Sequence, residues 1–215
     1  KALTAVKLAE RLEGLLGAPV LPVFWNASED HDFEEISAIG LLDGANNLER
    51  VALDPRPWNR SPAFMIQPGP EIERVFSAFG KLIPQTEFSP WLNSILHESY
   101  TSGTNLGAAF GELISRLLGG CGLFVVEACS KGLRRAGKEL FQRAALESGA
   151  ENEAFLAACG ELSALGYPMQ VNPLPGETSL FLIENGSREK LLADSSGEGF
   201  SLKPSGVRLS RKELI

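Results

Sequence analysis

Histidine and cysteine are scarce in this chain, with two of the first and three of the second among 215 residues. Cys121, Cys129 and Cys159 form no C-x-x-C pair, and an odd count fits poorly with a disulfide framework or a paired-cysteine zinc site. Buried thiols are the expectation, with Cys129 the exception. Long apolar runs are missing as well: none approaches the ~18–20 residues that span a bilayer, and the amphipathic start has no signal-peptide core. Positive charge is in deficit, 20 Lys and Arg against 27 Asp and Glu for a formal net charge of -7, which argues against a nucleic-acid or anionic-membrane surface. A small anion could still bind a local basic patch. There is no G-x-G-x-x-G, no P-loop and no nucleophile elbow, so neither a standard nucleotide turn nor a Ser-His-Asp hydrolase can be read from these residues. The expected compartment is the cytosol.

What is present is a 44% apolar chain, enough to bury a sizeable core as one large domain or two small ones. Leu3, Val6, Leu8, Leu12, Leu15 and Leu16 recur at helical spacing over residues 1–16, and Gly17 with Pro19 supplies the stop. Val20-Leu21-Pro22-Val23-Phe24-Trp25 then reads as a buried strand. It runs directly into Asn26-Ala27-Ser28-Glu29-Asp30-His31-Asp32-Phe33-Glu34-Glu35. Helix, glycine turn and strand form half of a βαβ unit, implying a parallel sheet and a further strand before Lys1. Lys1 is not a Met, and residues 209–215 resemble the opening turn of a helix, so the chain is expected to be the middle of a larger protein.

Two short runs at 36–42 and 48–53 flank Asp43-Gly44-Ala45-Asn46-Asn47 and predict a hairpin. The proline-rich stretch 54–70 reads as a crossing loop. Helices are expected over 71–82, 91–100 and 104–118, then a second buried strand, Leu123-Phe124-Val125-Val126, ending in Glu127-Ala128-Cys129-Ser130-Lys131. Helical patterns over 131–146 and 151–165 follow. Short runs at 169–172, 179–184, 189–193 and 199–203, separated by Pro-Gly, Asn-Gly and Ser-Ser-Gly, predict a small antiparallel sheet. The organisation expected is α/β: a partial Rossmann-like parallel core with a helical insertion over 1–149, and a small α+β subdomain over 150–215.

Both histidines precede an acid, in His31-Asp32 and His97-Glu98. Imidazole titrates nearest physiological pH, and neighbouring carboxylates favour its protonated form. In open α/β sheets ligands sit beyond the carboxyl ends of strands, which makes Asp30, His31 and Asp32 the candidate catalytic residues, supported by Glu34 and with Trp25 packed nearby. The ordinary alternative is a solvated helix start, with Ser28 or Asp30 as cap. Asp30, His31, Asp32, Glu34 and Glu35 also suit an oxygen-rich metal site, although their spacing matches no dedicated metal motif, and no metal is assigned. His97, Ser102 and Thr104 fall in a hydroxyl-rich stretch before a strong helix, where amides either are capped by Ser102 or Gly103 or hold an anion. Lys131 and Arg134, on a basic helix after the second strand, could clamp a carboxylate or phosphate.

These residues resemble a known family. Pro22-Val23-Phe24-Trp25 through Glu29-Asp30-His31-Asp32-Phe33-Glu34-Glu35 is similar to the motif of the bacillithiol-synthesis cysteine-adding enzymes, as is Lys1-Ala2-Leu3-Thr4-Ala5-Val6-Lys7-Leu8-Ala9. Tyr100 through Thr104-Asn105-Leu106, Phe110, Gly122 through Val126, Gly166 through Val171 and Leu180-Phe181 follow in the family's order. The resemblance implies a Rossmann-like core similar to nucleotidyltransferases and class I aminoacyl-tRNA synthetases, with inserted segments and a C-terminal coiled coil. It also implies a reaction joining L-cysteine to the sugar amine of glucosaminyl-malate; in that reading the basic helix of Lys131 and Arg134 is our own assignment for the malate carboxylates. The partners implied are those two small molecules and the remainder of the same polypeptide, with a homodimer of the longer protein. The cofactor stays open, ATP or another nucleotide among the candidates. Family members are considerably longer, and Ser28 stands where Gly is expected. Two other readings are a metal-dependent hydrolase using the acidic cluster and a non-catalytic binding fragment.

Overall fold

The computed structural model describes residues 1–54, 60–101, 103–169, 171, 174, 176–194 and 199–214. Contacts divide the chain into two compact units, Lys1–Ser130 and Lys131–Ile215. Among the described residues no helix is long and apolar enough to cross a membrane.

In the first unit α1 (Ala2–Leu16) leads to β1 (Val23–Asn26), and α2 (Phe33–Ile36) to the hairpin of β2 (Ala38–Leu42) and β3 (Leu48–Ala52). Then come α3 (Glu71–Leu82), α4 (Ser89–Ser99), α5 (Leu106–Leu118) and β4 (Phe124–Glu127). β1 and β4 pair in parallel, with Val23 opposite Phe124 and Asn26 opposite Glu127. Parallel neighbours need a long crossover, and here the hairpin and α2–α5 provide it. Gly17 ends α1 in the left-handed region at φ 64°, its N–H donating to the Glu13 carbonyl at 2.9 Å. The core joins Ala2, Val6 and Leu123 to Phe24, Ile114, Leu118 and Val125.

The face α1 buries differs from the leucine pattern. Ala2, Val6 and Ala9 turn inward, while Leu3, Leu8, Leu15 and Leu16 are exposed. Small side chains at positions i, i+4 and i+7 form one helical stripe that can approach the strands closely. The expected hairpin forms, Ala38 pairing with Ala52 and Leu42 with Leu48. Its turn is held by Asp43, whose Oδ1 accepts from the N–H groups of Ala45 and Asn47, both at 2.8 Å. In the proline-rich stretch Ala63–Met65 forms a short 3-10 turn, and residues 55–59 lie outside the described residues.

The second unit starts with α6 (Lys131–Ala136), α7 (Lys138–Leu146) and α8 (Ser148–Ala164). The single helix expected over 131–146 is thus interrupted at Gly137, which serves as the N-cap residue of α7. Four strands follow, β5 (Glu177–Glu184), β6 (Ser187–Ala193), β7 (Gly199–Lys203) and β8 (Arg208–Ser210), in an antiparallel sheet in chain order, and α9 (Arg211–Leu214) ends it. Of the first predicted run, Met169 and Val171 are not in a strand, and Gln170 and Asn172 lie outside the described residues. Residues 209–215, expected to be a helix start, carry the end of β8 before the single turn of α9. Asn185 and Gly186 turn β5 into β6 with φ of 48° and 80°, the pair of positive angles a tight hairpin requires. Ala145 of α7 packs with Leu191, Phe200 and Leu202 to form this unit's core. The chain is therefore α/β with a Rossmann-like parallel pair, a helical insertion and a small antiparallel sheet.

Candidate functional site

Because β1 and β4 run in the same direction, their carboxyl ends meet at one edge, with Asn26 and Glu127 as register partners. Strand side chains alternate between faces. The two strands, expected to be buried, are covered on one face only: Val23, Trp25 and Phe124 are 49%, 54% and 54% exposed, whereas Asn26 is 5% exposed and faces α5. Its Nδ2 donates to the Gly107 carbonyl and to Glu127 Oε2, each at 2.9 Å. Both partners are acceptors, which fixes the orientation of the amide. Ser28, 3% exposed, donates from Oγ to Glu127 Oε1, and the same oxygen accepts the backbone N–H of Cys129 at 3.3 Å. One carboxylate thus gathers the ends of both strands and the loop after β1.

Helix α5 closes this corner. Asn105 caps it, its side chain accepting from the Ala108 N–H at 2.8 Å, in place of the expected Ser102 or Gly103. The helix begins at Leu106, so the capping position falls on Asn105, itself a favoured cap residue; Gly103 occupies a turn at φ 87° and Ser102 lies outside the described residues. The first turn comes so near the loop that a Cβ on Gly107 would stand 2.5 Å from Ser28 Cβ and 3.3 Å from Phe64 Cα. Only glycine permits that approach.

The acidic segment is anchored along its backbone. Phe64 N–H donates to the Ser28 carbonyl at 3.0 Å and Ala63 N–H to the Asp30 carbonyl at 2.9 Å. Asp30 Oδ1 accepts the His31 N–H at 2.8 Å and stands 3.4 Å from His31 Nδ1, the imidazole 24% exposed and the carboxylate 64%. Asp32 is the N-cap residue of α2 without a side-chain capping bond, and Glu34 lies in its first turn; both are exposed. Glu29 Oε2 is buried with no hydrogen-bond partner among the described residues. No three His, Cys, Asp or Glu side chains among the described residues converge as metal ligands.

The other candidates lie elsewhere. His97 sits on α4, its Nδ1 2.8 Å from the Asn93 carbonyl, its Nε2 3.6 Å from Glu73 and its ring 4.8 Å from that of Phe76. These partners belong to α3 and α4. Tyr100 packs edge-on against Phe76, and burial raises its phenol above the usual tyrosine range. Thr104 shares a 2.7 Å hydroxyl contact with Thr101 just before the α5 cap. Lys131 and Arg134 are exposed on α6 of the second unit. Cys121 is exposed rather than buried, and the three cysteines form no disulfide. The residues that sequence reasoning did not single out are Asn26, Glu127 and Gly107, although Asn26 and Glu127 were visible as the polar ends of two apolar runs.

The whole chain, residues 1–215, matches the family described as bacillithiol biosynthesis BshC, N-terminal Rossmann-like domain. A relative from Heliobacterium modesticaldum is 36% identical over 219 residues, covering 100% of this chain and 39% of its own length. Relatives from Koribacter versatilis and Chlorobium phaeobacteroides are 33% and 30% identical, again over 100% of this chain and 39% and 38% of theirs. All three are named as inferred cysteine ligases, BshC. The chain therefore spans about two-fifths of the length of these curated relatives.

Proposed function

Given that this chain belongs to the BshC family of bacillithiol biosynthesis, as its N-terminal Rossmann-like domain, we propose that it supplies the β1–β4 cleft of a cysteine ligase. In this reading the longer protein joins L-cysteine to the amine of glucosaminyl-malate in the cytosol. The observation that carries it is the anchoring of the Asp30-His31-Asp32 segment at the carboxyl end of β1.

Amide formation needs a neutral amine to attack an activated carboxyl carbon. The C–N bond forms, the activating group leaves with its electron pair, and the nitrogen gives up a proton. His31 is the base this arrangement suits: Asp30 stands beside its Nδ1 and favours the imidazolium that forms as the proton is taken. Asp32, the next residue and exposed, adds negative charge near the developing cation. Trp25 offers an exposed apolar face next to this edge, while Glu34 keeps the α2 start acidic. Of the other sequence candidates, His97 and Thr104 are proposed anion contacts within the first unit, Lys131 and Arg134 are proposed carboxylate contacts within the second, and Ser102 lies outside the described residues.

The experiment replaces His31 by Ala and Asp32 by Asn in the full-length protein and follows cysteine addition to glucosaminyl-malate by mass spectrometry. A general base contributes about 10²–10⁴-fold, so turnover by the His31→Ala protein is expected to fall within that range. Undiminished turnover in both variants sinks the assignment.

A further inference from the structure

We propose that Glu127 is a positioning residue that sets the acidic segment in place through Ser28. The inference rests on the reading of the β1 edge as a ligase cleft, but the contacts that support it do not depend on the reaction.

Glu127 terminates a strand 101 residues away from Asn26 in the chain, and both of its carboxylate oxygens are in use. Oε2 takes the Asn26 amide, which also reaches α5 through the Gly107 carbonyl. Oε1 takes the Ser28 hydroxyl and the Cys129 N–H. Ser28 is buried, two residues before Asp30 and three before His31, and its carbonyl is already held by Phe64. Side chain and main chain of Ser28 are therefore fixed from opposite directions, by β4 and by the 3-10 turn. Downstream of it, the Asp30 N–H closes a turn onto the Ala27 carbonyl at 3.1 Å. Position errors at Ser28 pass directly to Asp30 and His31.

A carboxylate is required because two acceptor oxygens serve donors on two sides. A glutamine at this position has one carbonyl oxygen, so either the Asn26 amide or the Ser28 and Cys129 donors lose an acceptor whichever way it is turned. A glutamine can keep its oxygen on Ser28, or donate its amide to the Ser28 hydroxyl, so Glu127→Leu, close in size and without polar atoms, is the substitution that breaks the anchoring. Ser28→Ala cuts the same path at its other end and removes a single buried oxygen.

The test uses the full-length protein as wild type, E127L, S28A and the double variant, each read by amide hydrogen exchange and by steady-state kinetics. In both single variants exchange across residues 27–33 is expected to rise about tenfold while α1 stays protected. The turnover number is expected to fall by about 100-fold with the KM of both substrates unchanged, as for a displaced reacting group. The double variant should be no worse than E127L alone, since both act on one contact. Unchanged exchange over 27–33, a uniform rise throughout residues 1–130, or additive losses overturn the inference. Should the wild type transfer no cysteine, the ligase reading fails, and the exchange pattern still decides whether Glu127 holds the segment. If E127L does not fold, S28A alone carries the same exchange and KM tests.

Discussion

Tyr100 follows Ser99 at the end of α4 and packs against Phe76, close to where His97 meets the same ring. Burial raises its phenol pKa because the phenolate would lose solvation in that setting. A tyrosine whose folded pKa lies above its unfolded value, about 10, contributes stability that is complete below pH 10 and lost as pH rises through the folded value. The protein should therefore lose denaturant resistance as pH rises above about 10, and Tyr100→Phe should lessen that loss while keeping the ring contact. Midpoints measured from pH 8 upward in both proteins check this; equal alkaline slopes would show that Tyr100 plays no part. The site histidine belongs to a different setting. His31 has its acid in the preceding residue, and the bond that matters for its placement, Asp30 Oδ1 to the His31 N–H, is a backbone contact that no pairing of side chains in the sequence would suggest.

Helix α5 depends on one missing side chain. Gly107→Ala would force Cβ against Ser28 Cβ and the Phe64 backbone, and with backbone on one side the clash cannot be relieved by a rotamer change. Overpacking of this kind costs about 1–3 kcal/mol, more than the helix propensity alanine would gain. The expected outcome is a lower midpoint in denaturant titration; an unchanged midpoint would show that the close approach is not required. Elements of this kind were only partly legible in the sequence. β1 and its acidic continuation could be read because a β-branched and aromatic run breaks abruptly into charge, and the hairpin because its turn residues are local. The cap of α5 is Asn105, two or three residues beyond the Gly103 or Ser102 that the sequence suggests, because that stretch offers several residues suited to capping. The inward face of α1 was misread because leucines dominate its pattern, whereas close approach to the strands selects alanines. That Ser28 binds Glu127 instead of capping a helix could not be read locally, because the partner is 99 residues away.

At the scale of the molecule, two cores carry the two units. Leu191, 0% exposed among Ala145, Phe200 and Leu202, is the centre of the second. Leu191→Ala should cost about 2–5 kcal/mol and speed amide exchange across β5–β8; an unchanged exchange pattern there would contradict that placement. The sheet of that unit pairs consecutive strands, and its patterning showed in the sequence for the same reason: neighbours in space are neighbours in the chain. The first unit is organised in the opposite way. β1 cannot meet β4 until some hundred intervening residues have been laid down and compacted, because Asn26 and Glu127 are 101 positions apart. Closing a loop of that length is entropically costly before any contact repays it, so such pairing belongs to the late stages of folding. The edge where β1 and β4 end therefore cannot form early, and a chain emerging from the ribosome carries its acidic segment without a floor until Glu127 has been synthesised.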